Sequence, residues 1–339
     1  MDLDETTVVE LVPDVAAAAR THFAPWNGGL LERHDVRLIV DDGRHWLSAT
    51  DERFDVIVSD LFIPWHAGAG SLYAREMYAA AAAHLMPDGL FCQWLPLYQL
   101  TREDFDLIAR TFLTVFPVVT LWRADFYPDR PVVGLVGQQW PHPVELAGLR
   151  ERLQHLPDWA RDPLLATPRG LALLYAGDLS NAPDLLPGET INTDDRPLLE
   201  FSAPRLTRIN ALGDKDWFTG EPLAAFIDAL ASRNAAVADP LHLSSEDMLA
   251  AREAGRLLYR YALAAQHQDE TTARDLERAV ERLVPEVVAG DESTGAVDRL
   301  ADARRTLAEL QQEQVQVRQQ LEAMEQRLGS LTQARKDVR

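Results

Sequence analysis

The chain has 339 residues, of which 47% are hydrophobic and 25% are charged, a composition typical of a globular protein with a sizeable core. Its 53 acidic and 33 basic residues give a formal charge of -20, which argues against a nucleic-acid partner. The single cysteine, Cys92, excludes an internal disulfide bond and a cysteine-based zinc site, and its apolar surroundings predict a buried thiol. No apolar window reaches the ~18 residues of a membrane helix and the first residues carry no secretion signal, so we expect a cytoplasmic chain as given.

Up to about residue 137, short β-branched runs alternate with segments of helical periodicity. This alternation predicts an α/β fold, a doubly wound parallel sheet of buried strands covered by helices. The predicted strands are residues 6–11, 36–40, 54–60, 90–95, 118–122 and 131–136.

Three helices are predicted between these strands. The first, over residues 13–23, is entered through a proline, and the second covers residues 71–86 and stops at a Pro-Asp-Gly sequence. The third starts at Thr101, which with Asp104 predicts a capping box.

Beyond residue 140 the strand pattern fades. We predict that residues 1–140 form a partial nucleotide-binding domain, that residues 141–208 complete it, and that residues 209–289 are helical. Residues 296–337 carry a heptad pattern with leucines at most a positions and a polar Gln314 at another, which predicts a coiled coil. Such a seam needs a partner helix, either in a homodimer through residues 300–331 or by folding back on residues 245–283.

Three acidic residues stand where predicted strands end: Glu10, Asp42 and Asp60. Ligands of doubly wound sheets bind beyond the carboxyl ends of the strands, so these side chains are candidates for contacts to a nucleotide. A carboxylate at the first position can accept both hydroxyls of a ribose, and one at the second can accept from an adenine amino group. For Glu10 and Asp42 the alternative is turn or helix-capping chemistry. The nine histidines show no ligand spacing, and we expect no metal.

Five segments of the chain resemble the spermidine synthases, also called polyamine aminopropyltransferases. They are VVELVPDV at 8–15, DVRLIVDDGR at 35–44, FDVIVSDLFIP at 54–64, LYAREMY at 72–78 and GLFCQWL at 89–95. A weaker likeness covers residues 192–197 and 199–205. The resemblance implies a Rossmann-like domain of the class I methyltransferase type.

The resemblance also implies an activity, namely aminopropyl transfer from decarboxylated S-adenosylmethionine, as co-substrate, to a small-molecule amine in polyamine biosynthesis. Asp60 is then the general base, because a protonated amine is not a nucleophile. Glu10, Asp42 and Gly43 are expected to contact the nucleoside. Gln93 and Tyr73 are expected to contact the substrate.

Two features depart from the family pattern. Ile63 stands where the family has a second aspartate that holds the far amine of the acceptor, so the acceptor stays open. The family's glycine-rich loop and first strand have no counterpart before Glu10, which predicts an N-terminally truncated domain. The strands at 6–11 and 54–60 then lack a shared neighbour. Whether the chain is catalytically active without the loop stays open. Relatives of this type are often fused behind a membrane domain, so attachment to a membrane through an upstream segment is an expectation too.

Two other functions stay open from the sequence. The first is an S-adenosylmethionine-dependent methyltransferase, which shares the fold and needs no second acid at the position of Ile63. The second is a non-catalytic remnant that binds a nucleoside or a partner protein. For the cluster at residues 192–196, the alternatives are a lid over the pocket through Asp194 or Asp195 and simple turn chemistry.

Overall fold

The computed structural model describes residues 5–25, 27–60, 62–155, 167–211, 216–235, 239–243 and 245–285. The described residues up to Val284 form one compact unit. The predicted coiled coil at 296–337, and with it the predicted dimer seam at 300–331, lies outside the described residues. The predicted domain boundaries stay predictions.

Two parallel strands form the first sheet. Strand β1 (Thr6–Glu10) pairs with β2 (Val36–Val40), with Thr6 opposite Val36 and Glu10 opposite Val40. Helix α1 (Pro13–Thr21) connects them and begins with its proline at the position where no amide hydrogen is needed. Because the two strands run in the same direction and in register, their carboxyl ends lie side by side.

Five strands form the second sheet, in the order β3-β4-β6-β5-β7. They are β3 (Phe54–Ser59), β4 (Leu85–Pro96), β5 (Val118–Arg123), β6 (Val132–Gln138) and β7 (Tyr175–Asp178). The α/β class is confirmed, but the prediction of parallel strands is wrong for this half of the protein. Only β3 and β4 pair in parallel, and the other pairs are antiparallel. The connection from β5 to β6 is too short for the crossover that parallel strands require.

Strands β1 and β3 each lie at an edge of their own sheet within the described residues. This position corrects the prediction that β3 is buried, because Val56 is 51% exposed and Val58 is 59% exposed. An edge strand keeps one row of backbone groups and its adjoining side chains in contact with solvent.

The predicted helix over residues 71–86 is wrong at both ends. The chain forms a 3-10 turn over Ala69–Tyr73, then helix α3 (Arg75–Ala83), and Leu85 already belongs to β4. Ala74, with φ -82° and ψ 151°, is extended and separates the turn from the helix. Helix α2 (Gly43–Ala49) precedes β3, and α4 (Arg102–Leu113) follows β4.

The capping box of α4 is confirmed, because the Thr101 hydroxyl accepts from the Asp104 amide and the Asp104 carboxylate accepts from the Thr101 amide. Between α4 and the sheet lies an aromatic core in which Phe91 stacks at 5.7 Å from the rings of both Phe112 and Phe116. The buried thiol is confirmed as well. Cys92 is 8% exposed, and burial raises its pKa to about 11.

The remaining helices are α5 (Leu146–Gln154), α6 (Pro168–Leu174), α7 (Leu198–Ala211), α8 (Gly220–Asn234), α9 (Glu246–Gln266) and α10 (Glu270–Leu283). Helices α8 and α9 pack against β7, and α9 also packs against α6 and α10. At the crossing of α9 with α6, a Cβ on Gly255 would lie 2.0 Å from the Leu173 carbonyl oxygen, so only glycine fits there. In the part of the chain that the structure describes, every helix is too short or too polar to span a bilayer.

Candidate functional site

Glu10 and Asp42 lie at the same end of the β1–β2 sheet. The Glu10 Oε1 atom accepts a hydrogen bond of 2.7 Å from the Val12 amide. Asp42 caps helix α2, and its Oδ1 atom accepts from the amides of Arg44 at 2.9 Å and His45 at 3.0 Å. The turn and capping chemistry is therefore present at both residues. Each side chain has a second oxygen that can also accept a hydrogen bond. The predicted contacts of Glu10, Asp42 and Gly43 to a nucleoside stay a prediction.

Asp60 follows β3 directly, and its side chain is exposed. Behind it, on the neighbouring strand β4, Gln93 is fully buried opposite Ser59. The Gln93 Nε2 atom donates to the Trp94 carbonyl at 3.0 Å and lies 3.4 Å from the Asp60 carbonyl oxygen. Gln93 therefore supports the backbone that carries Asp60.

The Gln93 amide is only partly satisfied. Its Oε1 atom is buried and has no hydrogen-bond partner among the described residues. A buried amide oxygen without a donor is uncommon and costs free energy. The Gln93 Oε1 atom lies next to the end of β3 and can accept a hydrogen bond from a substrate. The contact of Gln93 to a substrate stays a prediction.

Tyr73 lies in the 3-10 turn and is fully buried. Its hydroxyl donates to the Phe62 carbonyl oxygen at 3.1 Å, and burial raises its pKa well above the ordinary value. The hydroxyl thus anchors the segment that follows Asp60 and stays protonated at neutral pH. The structure places Tyr73 beneath this segment, and its predicted contact to the substrate stays a prediction.

Glu200, on α7, binds two glycines of the segment that follows Asp60. Its carboxylate accepts from the amides of Gly68 at 2.6 Å and Gly70 at 3.0 Å. A Cβ on Gly70 would lie 2.8 Å from the Glu200 amide nitrogen, so the close approach requires glycine. The two glycines therefore bind a carboxylate of the chain itself.

Asn192 is fully buried and bonds to three parts of the fold. Its Nδ2 atom donates to the Gly70 carbonyl at 2.9 Å, and its Oδ1 atom accepts from the Leu199 amide at 3.1 Å. Its own amide donates to the Thr111 hydroxyl on α4 at 2.9 Å. This residue joins the turn before α3 to helices α4 and α7.

Arg44 connects the two halves of the candidate site. Its guanidinium donates to the Ser71 carbonyl at 2.9 Å and forms an ion pair with Asp194. We call Arg44, Asn192, Asp194 and Glu200 the clasp. Sequence reasoning gave no role to Arg44 or Glu200, and it left Asp194 between a lid and a turn. In the structure Asp194 binds Arg44 close to Asp42, so the clasp ties the end of the β1–β2 sheet to the segment after Asp60.

Among the described residues, no group of three histidine, cysteine, aspartate or glutamate side chains is placed to hold a metal ion. The candidate site consists of the strand-end carboxylates, the Gln93 amide and the clasp.

Comparison with known proteins gives a consistent result. Residues 2–124 match the spermine/spermidine synthase domain. A polyamine aminopropyltransferase of Hyperthermus butylicus is 27% identical over 118 residues, which are 34% of this chain and 39% of the relative. One from Synechococcus is 31% identical over 119 residues, covering 34% of this chain and 38% of the relative. The chain thus spans about two-fifths of the length of these relatives. The spermidine synthase of Thermotoga maritima aligns with a TM-score of 0.37 at 18% identity, over 44% of this chain and 50% of that one.

Proposed function

Because residues 2–124 match the spermine/spermidine synthase domain, we propose that this protein is an aminopropyltransferase of polyamine biosynthesis. Its co-substrates are decarboxylated S-adenosylmethionine and a small-molecule amine. The observation that carries the proposal is the position of Asp60. Its carboxylate is exposed at the end of β3, inside the matched domain, and the buried Gln93 amide contacts its backbone carbonyl.

Asp60 acts as the general base in this proposal. The acceptor amine must lose a proton as its nitrogen attacks the propyl carbon, and the carboxylate takes that proton. A carbon–nitrogen bond forms, the carbon–sulfur bond breaks, and the sulfonium leaves as the neutral thioether methylthioadenosine. The negative charge of Asp60 also favours the approach of two cationic substrates to each other.

Glu10 and Asp42 bind the nucleoside in this proposal. Their carboxylates lie at adjacent strand ends, and each uses one oxygen to fix the local backbone. The other oxygens are left to accept from ribose hydroxyls at Glu10 and from the adenine amino group at Asp42. The backbone contacts hold each carboxylate in place before the ligand arrives, which reduces the entropy lost on binding.

A second candidate function is methyl transfer from S-adenosylmethionine. It is favoured by Ile63, which is 37% exposed and offers no charge to hold the far end of a diamine. The same carboxylate at Asp60 would serve either reaction as a base. The two functions differ in the nucleoside product, which is methylthioadenosine for aminopropyl transfer and S-adenosylhomocysteine for methyl transfer.

Product analysis tests both functions. The purified chain is incubated with decarboxylated S-adenosylmethionine and a series of diamines, and separately with S-adenosylmethionine and the same amines. We expect methylthioadenosine to form, and Asp60→Asn to lower its rate by about 10² to 10⁴-fold without changing the melting temperature. Asp55→Asn, an exposed position on the same strand, is the matched control and should keep full rate.

The outcomes distinguish aminopropyl transfer, methyl transfer and binding without catalysis. Formation of S-adenosylhomocysteine alone would replace the proposal by methyl transfer. A chain in which Asp60→Asn changes no rate and no binding property is the non-catalytic binder. Absence of both products with every amine would contradict the proposal.

A further inference from the structure

A cavity of about 260 Å³ lies among β5, β7, α8 and α9. It shares no residue with the candidate site at the strand ends. Its volume is slightly below the range of typical small-molecule pockets. Apolar side chains, including Ile227 and Leu249, form part of the wall, and three arginines contribute to the rest.

One of these arginines, Arg123, is the last residue of β5 and is only 2% exposed. Its Nη2 atom donates to the carbonyl oxygens of Leu173 at 2.8 Å and Tyr175 at 3.3 Å. Its Nε and Nη1 atoms are buried and have no hydrogen-bond partner among the described residues. An arginine carries donors on all three nitrogens, so most of its bonding capacity is unused here.

The other charged groups of the wall already have partners. Arg252 pairs with Asp239 at 3.2 Å, and Arg256 pairs with Glu253 at 2.5 Å. By contrast, none of the ion pairs within the described part of the chain includes Arg123. Arg123 is thus a buried positive charge without a bound counter-charge.

The remaining carboxylate of the wall, Asp178, does not fill this role. It accepts from the Ser180 amide at 2.8 Å and from the Asn181 side chain. Its bonds therefore hold the turn that follows β7 and leave the guanidinium of Arg123 unpaired.

A buried charge of this kind is costly. The charge loses its hydration, and this loss destabilises the fold unless an opposite charge and hydrogen bonds compensate it. Burial lowers the pKa of Arg123 to about 10, and the neighbouring Arg252 and Arg256 act in the same direction. Arg123 stays cationic at neutral pH. A negative group in the cavity would supply what the protein does not.

We propose that this cavity binds a small organic anion whose carboxylate or phosphate group pairs with Arg123. Charge-assisted hydrogen bonds from a guanidinium to an oxyanion are among the stronger ones in proteins. The body of the ligand lies against Ile227, Leu249 and the ring of Tyr175. The cavity shares no residue with the strand-end carboxylates, so this site is separate from the proposed transferase reaction.

Calorimetric titration of the full chain tests the proposal, with sodium phosphate as one probe and sodium succinate as the other, at an ionic strength held constant with sodium chloride. We expect saturable binding of at least one probe, and the preferred probe tells a phosphorylated ligand from a carboxylic acid. Arg123→Met should weaken this binding at least about tenfold. In the absence of anion, the same variant should melt at the same or a higher temperature, because it removes an uncompensated charge.

Two further variants localise the effect. Arg233→Met removes an exposed arginine of α8 that pairs with Asp184 and does not line the cavity, so it should bind as the unmodified chain does. Ala231→Leu narrows the cavity while keeping Arg123 and should weaken binding. Failure of both probes to bind, or equal binding by the Arg123→Met or Ala231→Leu variant, would overturn the proposal.

Discussion

The two sheets differ in what surrounds them. The strands of the β1–β2 sheet are only half-buried, and β3, at the edge of the second sheet, exposes Val56 and Val58. The strands from β4 to β7 are largely buried between helices and carry the aromatic core. The candidate carboxylates all stand on the less buried side. We infer that packing around β4 to β7 supplies most of the stability, whereas the strand ends of β1 to β3 supply the chemistry.

The largest expected effect on stability comes from the aromatic core. Phe91 is fully buried and contacts the rings of Tyr78, Phe112 and Phe116. Phe91→Ala should lower the free energy of unfolding by about 3–5 kcal/mol. The control, Val58→Ala on the exposed edge of β3, should cost less than about 1 kcal/mol. Denaturant unfolding measures both, and equal losses would contradict the division between the two sides.

A second effect concerns pH and the loop after β5. The carboxyl of Asp125 is half-buried near Asp129, and its partial burial raises its pKa from 3.8 to about 6. A raised pKa means that the folded state binds the proton more tightly than the unfolded state does. The contribution of protonated Asp125 to the stability of the fold is complete below about pH 4, and it is lost as the pH rises through about 6.

Asp125→Asn should remove this pH dependence. Between pH 4 and pH 7 the unmodified chain should lose up to about 3 kcal/mol of stability that the variant keeps. The exposed Asp275→Asn is the control and should follow the unmodified chain. If the free energy of unfolding changes with pH in the same way for the unmodified chain and the Asp125→Asn variant, folding does not raise the pKa of Asp125 and this prediction is wrong.

A smaller effect tests whether the clasp joins the two sides. Asn192→Ala leaves the Gly70 carbonyl and the Leu199 amide without their partner, which should cost about 2 kcal/mol of stability. It should also lower kcat/KM, because the turn at residues 69–73 loses a support. Asp195→Ala, an exposed neighbour, should change stability by less than about 0.5 kcal/mol. If Asn192→Ala alters neither quantity, the clasp has no positioning role.

Local patterns predicted the local features of this fold. The capping box at Thr101, the burial of Cys92 and the positions of Glu10, Asp42 and Asp60 at strand ends all follow from residues close in sequence. Strand β7 was missed, because four residues are too few to show an alternating pattern. The antiparallel pairing of β5 and β6 depends on a short connection that the predicted parallel sheet did not take into account.

Long-range contacts explain what the sequence could not predict. The pair of Arg44 with Asp194 joins residues 150 positions apart, and the bond of Gly68 to Glu200 spans 132 positions. A side chain that bonds across such distances leaves no local periodicity. The same holds for Arg123, which looks like an ordinary strand-end arginine until helices α8 and α9 cover it.

The most direct test of the account is calorimetric titration with methylthioadenosine, because the central claim is that the strand-end acids bind a nucleoside. We expect micromolar binding that Glu10→Gln and Asp42→Ser each weaken at least about tenfold. Serine keeps the cap of α2, so a loss in that variant reports on the carboxylate. Asp51→Ala, at an exposed aspartate that follows α2, is the control and should bind normally. Absence of binding, or equal binding by all variants, would contradict the claim.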